Sequence, residues 1–104
     1  MPALIDPDLP LEVEAAVSVI GSRAQAEILR RLSRLGPSTA GELADATGIS
    51  RPSLNRHLVA LQKAGVVAAT PPAGDRAGKT VKYAAQIDRV RELAEKYLRY
   101  VSGG

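Results

Sequence analysis

The sequence predicts a mainly α-helical domain with one small β-hairpin, on three observations. Thr39 to Gly65, TAGELADATGISRPSLNRHLVALQKAG, reads as two short helices joined by a tight glycine turn, the outline of a helix-turn-helix. The second of these helices spaces Leu54, Leu58 and Leu61 at i, i+4 and i+7, one apolar stripe, while Ser53, Asn55, Arg56 and Lys63 point elsewhere. After Gly65 the helical spacing gives way to a β-rich run, VVAAT, a loop, PPAGDRAGK, and a second run, TVKYA.

From the start of the chain, MPALIDPDLP is rich in proline and acid, and residues 1–10 are expected to be an extended arm. A first helix follows with Pro10 and Glu12 in its opening turn, where a proline lacks nothing and a carboxylate meets the positive helix end. Its stripe is Val13, Val17 and Ile20, and Gly21 stops it. Ser22 and Gln25 have the spacing of a capping box, opening a second helix whose apolar face is Ile28, Leu32 and Leu35 and whose end is Gly36-Pro37. Thr39 and Glu42 repeat that signal for a third helix, which buries Leu43 and Ala40 and ends at Thr47-Gly48. Ser50 is the expected cap of the fourth helix, with Pro52 in its first turn. In the hairpin, alternation puts Val81 and Tyr83 over the core and Thr80, Lys82 and Ala84 on the other face. A last helix is expected from a cap at Asp88, with Val90, Leu93, Ala94, Tyr97, Leu98 and Val101 as a broad apolar face. Residues 11–101 thus make one domain, and 102–104 a frayed tail.

Composition narrows the chemistry. The 104 residues hold no Cys, Phe or Trp, three Tyr and a single His, so aliphatic side chains must build the core. Fourteen Lys and Arg against 11 Asp and Glu give a formal charge of +3, which favours a polyanionic partner. Without cysteine there is no disulfide and no thiolate ligand. No basic and apolar leader and no membrane-spanning run occur, so a soluble, cytoplasmic protein without a membrane partner is expected. Asp88, Glu92 and Glu95 are helix carboxylates with no nitrogen or sulfur companion, so no metal site is expected. No nucleophile with base and orienting acid, no Gly-rich phosphate loop and no metallohydrolase motif is present, so neither catalysis nor a cofactor is expected. His57 lies beside the leucine stripe and is read as a packing or hydrogen-bonding residue.

A helix-turn-helix followed by a hairpin is the winged-helix order. Residues Ser50 to Val67, SRPSLNRHLVALQKAGVV, closely resemble the recognition helix and following strand of ArsR-type transcriptional regulators: the serine and proline at the helix start, His57-Leu58, Leu61 and the Ala64-Gly65-Val66 exit carry the likeness. With GELADATGIS before it and the hairpin after it, the resemblance covers roughly Ser22 to Ala85. It implies a dimeric winged helix-turn-helix whose terminal helices form the dimer interface, and a regulator that acts as a repressor. The cysteine clusters and aspartate-histidine pairs by which many members sense metals are missing here.

The major groove of B-DNA, about 12 Å wide, admits one helix, so the helix from Arg51 to Ala64 is expected to present Arg51, Ser53, Asn55 and Arg56 to base edges, with Lys63 near its far end. Arginine pairs with guanine and asparagine with adenine, while serine meets a base or a phosphate. Arg76, Lys79 and Lys82 form a positive wing over residues 71–82 for phosphate or the minor groove. Thr39 and the start of its helix offer backbone N–H groups to a phosphate. The expected dimer interface is Val13, Val17, Ile20, Val90, Leu93, Ala94, Tyr97, Leu98 and Val101, too much apolar surface for a monomer to hide. Two copies on a two-fold axis match a pseudo-palindromic operator with half-sites roughly 34 Å apart. Two other readings stay open: an architectural or accessory DNA binder, in plasmid partition, recombination or phage control, and a protein-interaction module that has lost DNA binding. Whether a small-molecule effector exists is left unassigned.

Overall fold

Helix α1 runs Leu11–Ile20, α2 Arg23–Leu35, α3 Ala40–Thr47 and α4 Arg51–Lys63; strands β1 (Val67–Thr70) and β2 (Lys82–Ala85) follow, and α5 runs Ile87–Val101. These elements are seen in a computed structural model that describes residues 8–72, 74 and 78–104. Most of the expected arm and the centre of the hairpin loop, Arg76 included, lie outside the described residues.

The helix ends follow local chemistry. Ser22 Oγ accepts from Gln25 N at 3.2 Å, and α3 carries a reciprocal box in which Thr39 Oγ1 accepts from Glu42 N and Thr39 N donates to Glu42 Oε1. The turn between α3 and α4 is made by Gly48 at φ 74°, a left-handed conformation that side chains resist. Two expected caps differ. Ser50 occupies the cap position of α4, but its side chain makes no capping hydrogen bond. Asp88 lies inside the first turn of α5, because the helix starts at Ile87 after Gln86, whose N–H donates to Val66 O at 2.8 Å. That tie from the end of β2 to the start of β1 sets where the chain begins to coil. At the tail, expected to fray, the amides of Ser102, Gly103 and Gly104 donate to Leu98, Tyr100 and Arg99 carbonyls.

One core gathers Ala16 and Val19 of α1, Ile28, Leu29 and Leu32 of α2, Leu43 of α3, Leu54, Leu58 and Leu61 of α4, Val66 and Val67 at the hairpin, and Leu93 of α5. Leu35, expected on the apolar face of α2, is exposed instead. It sits at the last residue of the helix, beyond the elements that cover Leu32. The hairpin is antiparallel with Val67 opposite Ala85 and Thr70 opposite Lys82. Tyr83 packs on the core as alternation requires. A third segment joins it: Ser38 N donates to Tyr83 O at 2.9 Å and Tyr83 N to Ser38 O at 2.7 Å, so the residue before α3 is tied to the wing.

The terminal helices α1 and α5 pack on each other within one chain. This splits both expected interface stripes. Val13 and Leu93 are buried in the protomer, and Val90 and Tyr97 pack against its core. Val13 and Leu93 are thus taken up by the protomer's own core and are not open to a partner, while Val90 and Tyr97 are covered only in part. Val17, Ile20, Ala94, Leu98 and Val101 remain exposed. Among the described residues no helix is long and apolar enough to cross a membrane.

Candidate nucleic-acid interface

Helix α4 is anchored from behind by Leu54, Leu58 and Leu61, all buried, and its outward face is solvent-exposed. Arg51, Asn55, Arg56 and Lys63 are exposed, as expected of residues that meet DNA, and Ser53 is half-buried. Arg56 Nη2 donates to Ser53 Oγ at 3.0 Å, so the serine hydroxyl is engaged in holding the guanidinium rather than standing free. Arg51 reaches back over α3, where its Nη1 would lie 3.6 Å from a Cβ built at Gly41.

Val59, not among the residues expected to meet DNA, also stands on this face, 65% exposed. The signal was present: Val59 follows Asn55 by four residues and Arg56 by three, and precedes Lys63 by four, spacings that put all four on one side. It is off the leucine stripe by the same arithmetic.

On the wing, Lys79 and Lys82 are exposed. Both line an open groove of about 560 Å³ with Pro37, Thr70, Pro71, Thr80 and Ala84. The charge of Lys82 is felt at the start of α3, where it helps lower the proton affinity of Glu42; the hydrogen bonds from the backbone and then the side chain of Thr39 are the larger causes. Here the expectation for Thr39 needs correction. Its amide is committed to the Glu42 carboxylate, and the amide of Glu42 to its own hydroxyl. Thr39 thus caps the helix and has no free N–H of its own for a phosphate.

His57 is half-buried, and its Nδ1 lies 3.3 Å from Nε2 of Gln25 on α2. Gln25 is itself buried, with Oε1 lacking a hydrogen-bond partner. The pair joins α4 to α2 behind the exposed face, as a hydrogen-bonding rather than ligating histidine does. Among the described residues no group of three or more His, Cys, Asp or Glu is placed to hold a metal.

A second cluster locks α4 to the terminal helices, and the sequence held no local signal for it. Arg89 Nε donates to Ala64 O at 3.1 Å, at the end of α4, while Nη1 and Nη2 donate to Glu12 Oε1 and Oε2 at 2.8 and 2.6 Å. Glu92 also accepts from Arg89, and Lys96 Nζ donates to Glu12 at 3.2 Å. Gly65 makes the approach possible: it turns the chain at φ 80°, and a Cβ there would sit 3.3 Å from Arg89 Nε.

This architecture has relatives. A model of the MarR family matches residues 22–78. No curated protein matches the sequence. Among solved structures, an ArsR-like transcriptional regulator from Rhodococcus sp. RHA1 superposes with a TM-score of 0.69 at 24% identity, over 88% of this chain and 80% of that one. The homodimeric winged helix-turn-helix DNA-binding domain of a possible ArsR-family regulator from Mycobacterium bovis gives 0.63 at 24% identity, over 88% and 78%. The transcriptional repressor BigR from Xylella fastidiosa gives 0.62 at 20% identity, over 88% and 85%. The fold is thus the winged helix-turn-helix expected from residues 50–67, with the family model naming MarR and the solved neighbours naming ArsR.

Proposed function

Because this chain belongs to the MarR family, we propose that it is a homodimeric repressor that reads a pseudo-palindromic operator in duplex DNA. The coarser statement, a DNA-binding regulator of the winged helix-turn-helix type, follows from the family and the fold. One observation supports the reading of duplex DNA: α4 buries its leucines completely and leaves Arg51, Asn55, Arg56 and Lys63 facing outward. A helix so mounted enters the major groove without unfolding anything behind it.

In this reading Asn55 and Arg56 read base edges, Ser53 orients Arg56, and Arg51 meets a base or the backbone at the start of the helix. Lys63, Lys79 and Lys82 contact phosphates, with Arg76 assigned to the same wing. The dimer forms through Val17, Ile20, Ala94, Leu98 and Val101, the part of the terminal helices that their own protomer leaves uncovered. Bound across a promoter, such a dimer blocks transcription. The Mycobacterium bovis domain is homodimeric, which supports the same for this chain.

Selection from a randomised duplex pool, followed by affinity measurement across a salt series, tests this. A specific regulator prefers the selected site over random duplex by about a thousandfold or more, and log affinity falls linearly with log salt. Arg56→Ala is expected to cost about 1–3 kcal/mol at defined base positions, whereas Lys79→Ala weakens every sequence evenly and lowers the salt slope by about one. An Arg56→Ala protein with unchanged sequence preference contradicts the base-reading role.

A further inference from the structure

Among the described residues, Val59 is the only large apolar side chain exposed on α4. A lone surface valine ordinarily requires no explanation. This one lies in the middle of the cationic face, one turn beyond Asn55 and Arg56 and one turn before Lys63, all exposed. Neither packing nor local propensity accounts for it. The leucines that hold α4 lie on the opposite side, and valine is a poorer helix former than the lysine or glutamate that would suit a solvated position. A second protein chain is a poor occupant for a single isopropyl group ringed by an amide, a guanidinium and an ammonium. The major groove suits it, because each thymine there presents a methyl group among polar base edges.

We propose that Val59 is a specificity-determining residue that packs on the C5-methyl group of a thymine in the operator. The assignment rests on the DNA-binding reading above. Its position along the site follows from helix geometry. Four residues separate Val59 from Asn55, so the two lie ~6 Å apart along the helix axis. At ~3.4 Å per base step, that separation keeps the thymine within about two base pairs of the base that Asn55 reads.

Deoxyuridine differs from thymidine only in lacking that methyl, and it isolates the contact. The duplex used is the one the wild-type protein selects from a randomised pool, with each thymine replaced in turn, symmetrically in both half-sites. At one position the wild-type protein is expected to lose about fifteenfold in affinity, the worth of one buried methyl in each of two half-sites. Val59→Ala binds the thymine and deoxyuridine duplexes there equally, while Val59→Thr, which keeps one methyl, retains part of the preference. Since the side chain is exposed, both variants are expected to melt with the wild type. A sequence-selective wild-type protein indifferent to every replacement overturns the assignment and leaves the DNA-binding reading intact. So does a Val59→Ala protein with undiminished discrimination against deoxyuridine. If the pool yields no selected duplex, the DNA-binding reading fails and the assignment falls with it.

Discussion

Glu12 faces two cations, and the hydrogen bond from Arg89 above all, then that from Lys96, lowers its pKa from 4.5 to about 2. The folded protein therefore keeps this carboxylate charged in acid that protonates it in the unfolded chain. The stabilisation is complete above about pH 4.5 and is lost as pH falls towards 2. Glu12→Gln, which carries no titrating group, is expected to melt below the wild type at pH 7, with the gap closing between pH 4.5 and 2. Thermal melts across that range decide it, and a gap independent of pH contradicts the charge-based account. The pairing of Glu12 with Arg89 spans 77 residues of sequence, so no motif announces it. Arg56 and Asn55, by contrast, were legible from their place on a helix already identified. Val59 has the same spacing, but an apolar residue on a helix signals a core position unless its partners are known.

Helix α3 shows which signals at the level of an element survive folding. Its box of Thr39 and Glu42 is made within three residues and formed as the sequence predicts. Thr39→Ala is expected to destabilise the protein by about 1 kcal/mol, read by urea unfolding. In a domain of this size that lowers the melting temperature by about 4–8 °C. Alanine keeps the backbone N–H that donates to Glu42 Oε1, so only the half of the box made by the Thr39 hydroxyl is lost. Ser50 holds the cap position of α4 without a capping hydrogen bond, and Asp88 is not the cap of α5, whose start is set by the Gln86 to Val66 hydrogen bond across the hairpin. The tie between Ser38 and Tyr83 was invisible for a different reason: one residue pair has no periodicity to detect.

For the whole molecule, the sequence showed that both terminal helices carry apolar faces, but a periodicity does not say what covers them. The fold divides the answer, with Val13, Val90, Leu93 and Tyr97 turned to the protomer and Leu98, 65% exposed, and Val101, 57% exposed, turned outward. Leu98→Glu is accordingly expected to leave folding intact, to yield a monomer by sedimentation equilibrium, and to weaken operator binding about a hundredfold as the second half-site is lost. Retention of the dimer mass contradicts the interface proposed for this face. The bond between Glu12 and Arg89 has one more consequence, in time. At about 5–20 residues per second, a ribosome that has just made Glu12 needs roughly 4 to 15 s to deliver its partner. The neighbours α2, α3 and α4 meet through short loops and are free to assemble while synthesis continues. Helix α1 meets α2 early through a short connection, but its seat against α5 waits until that helix has been made.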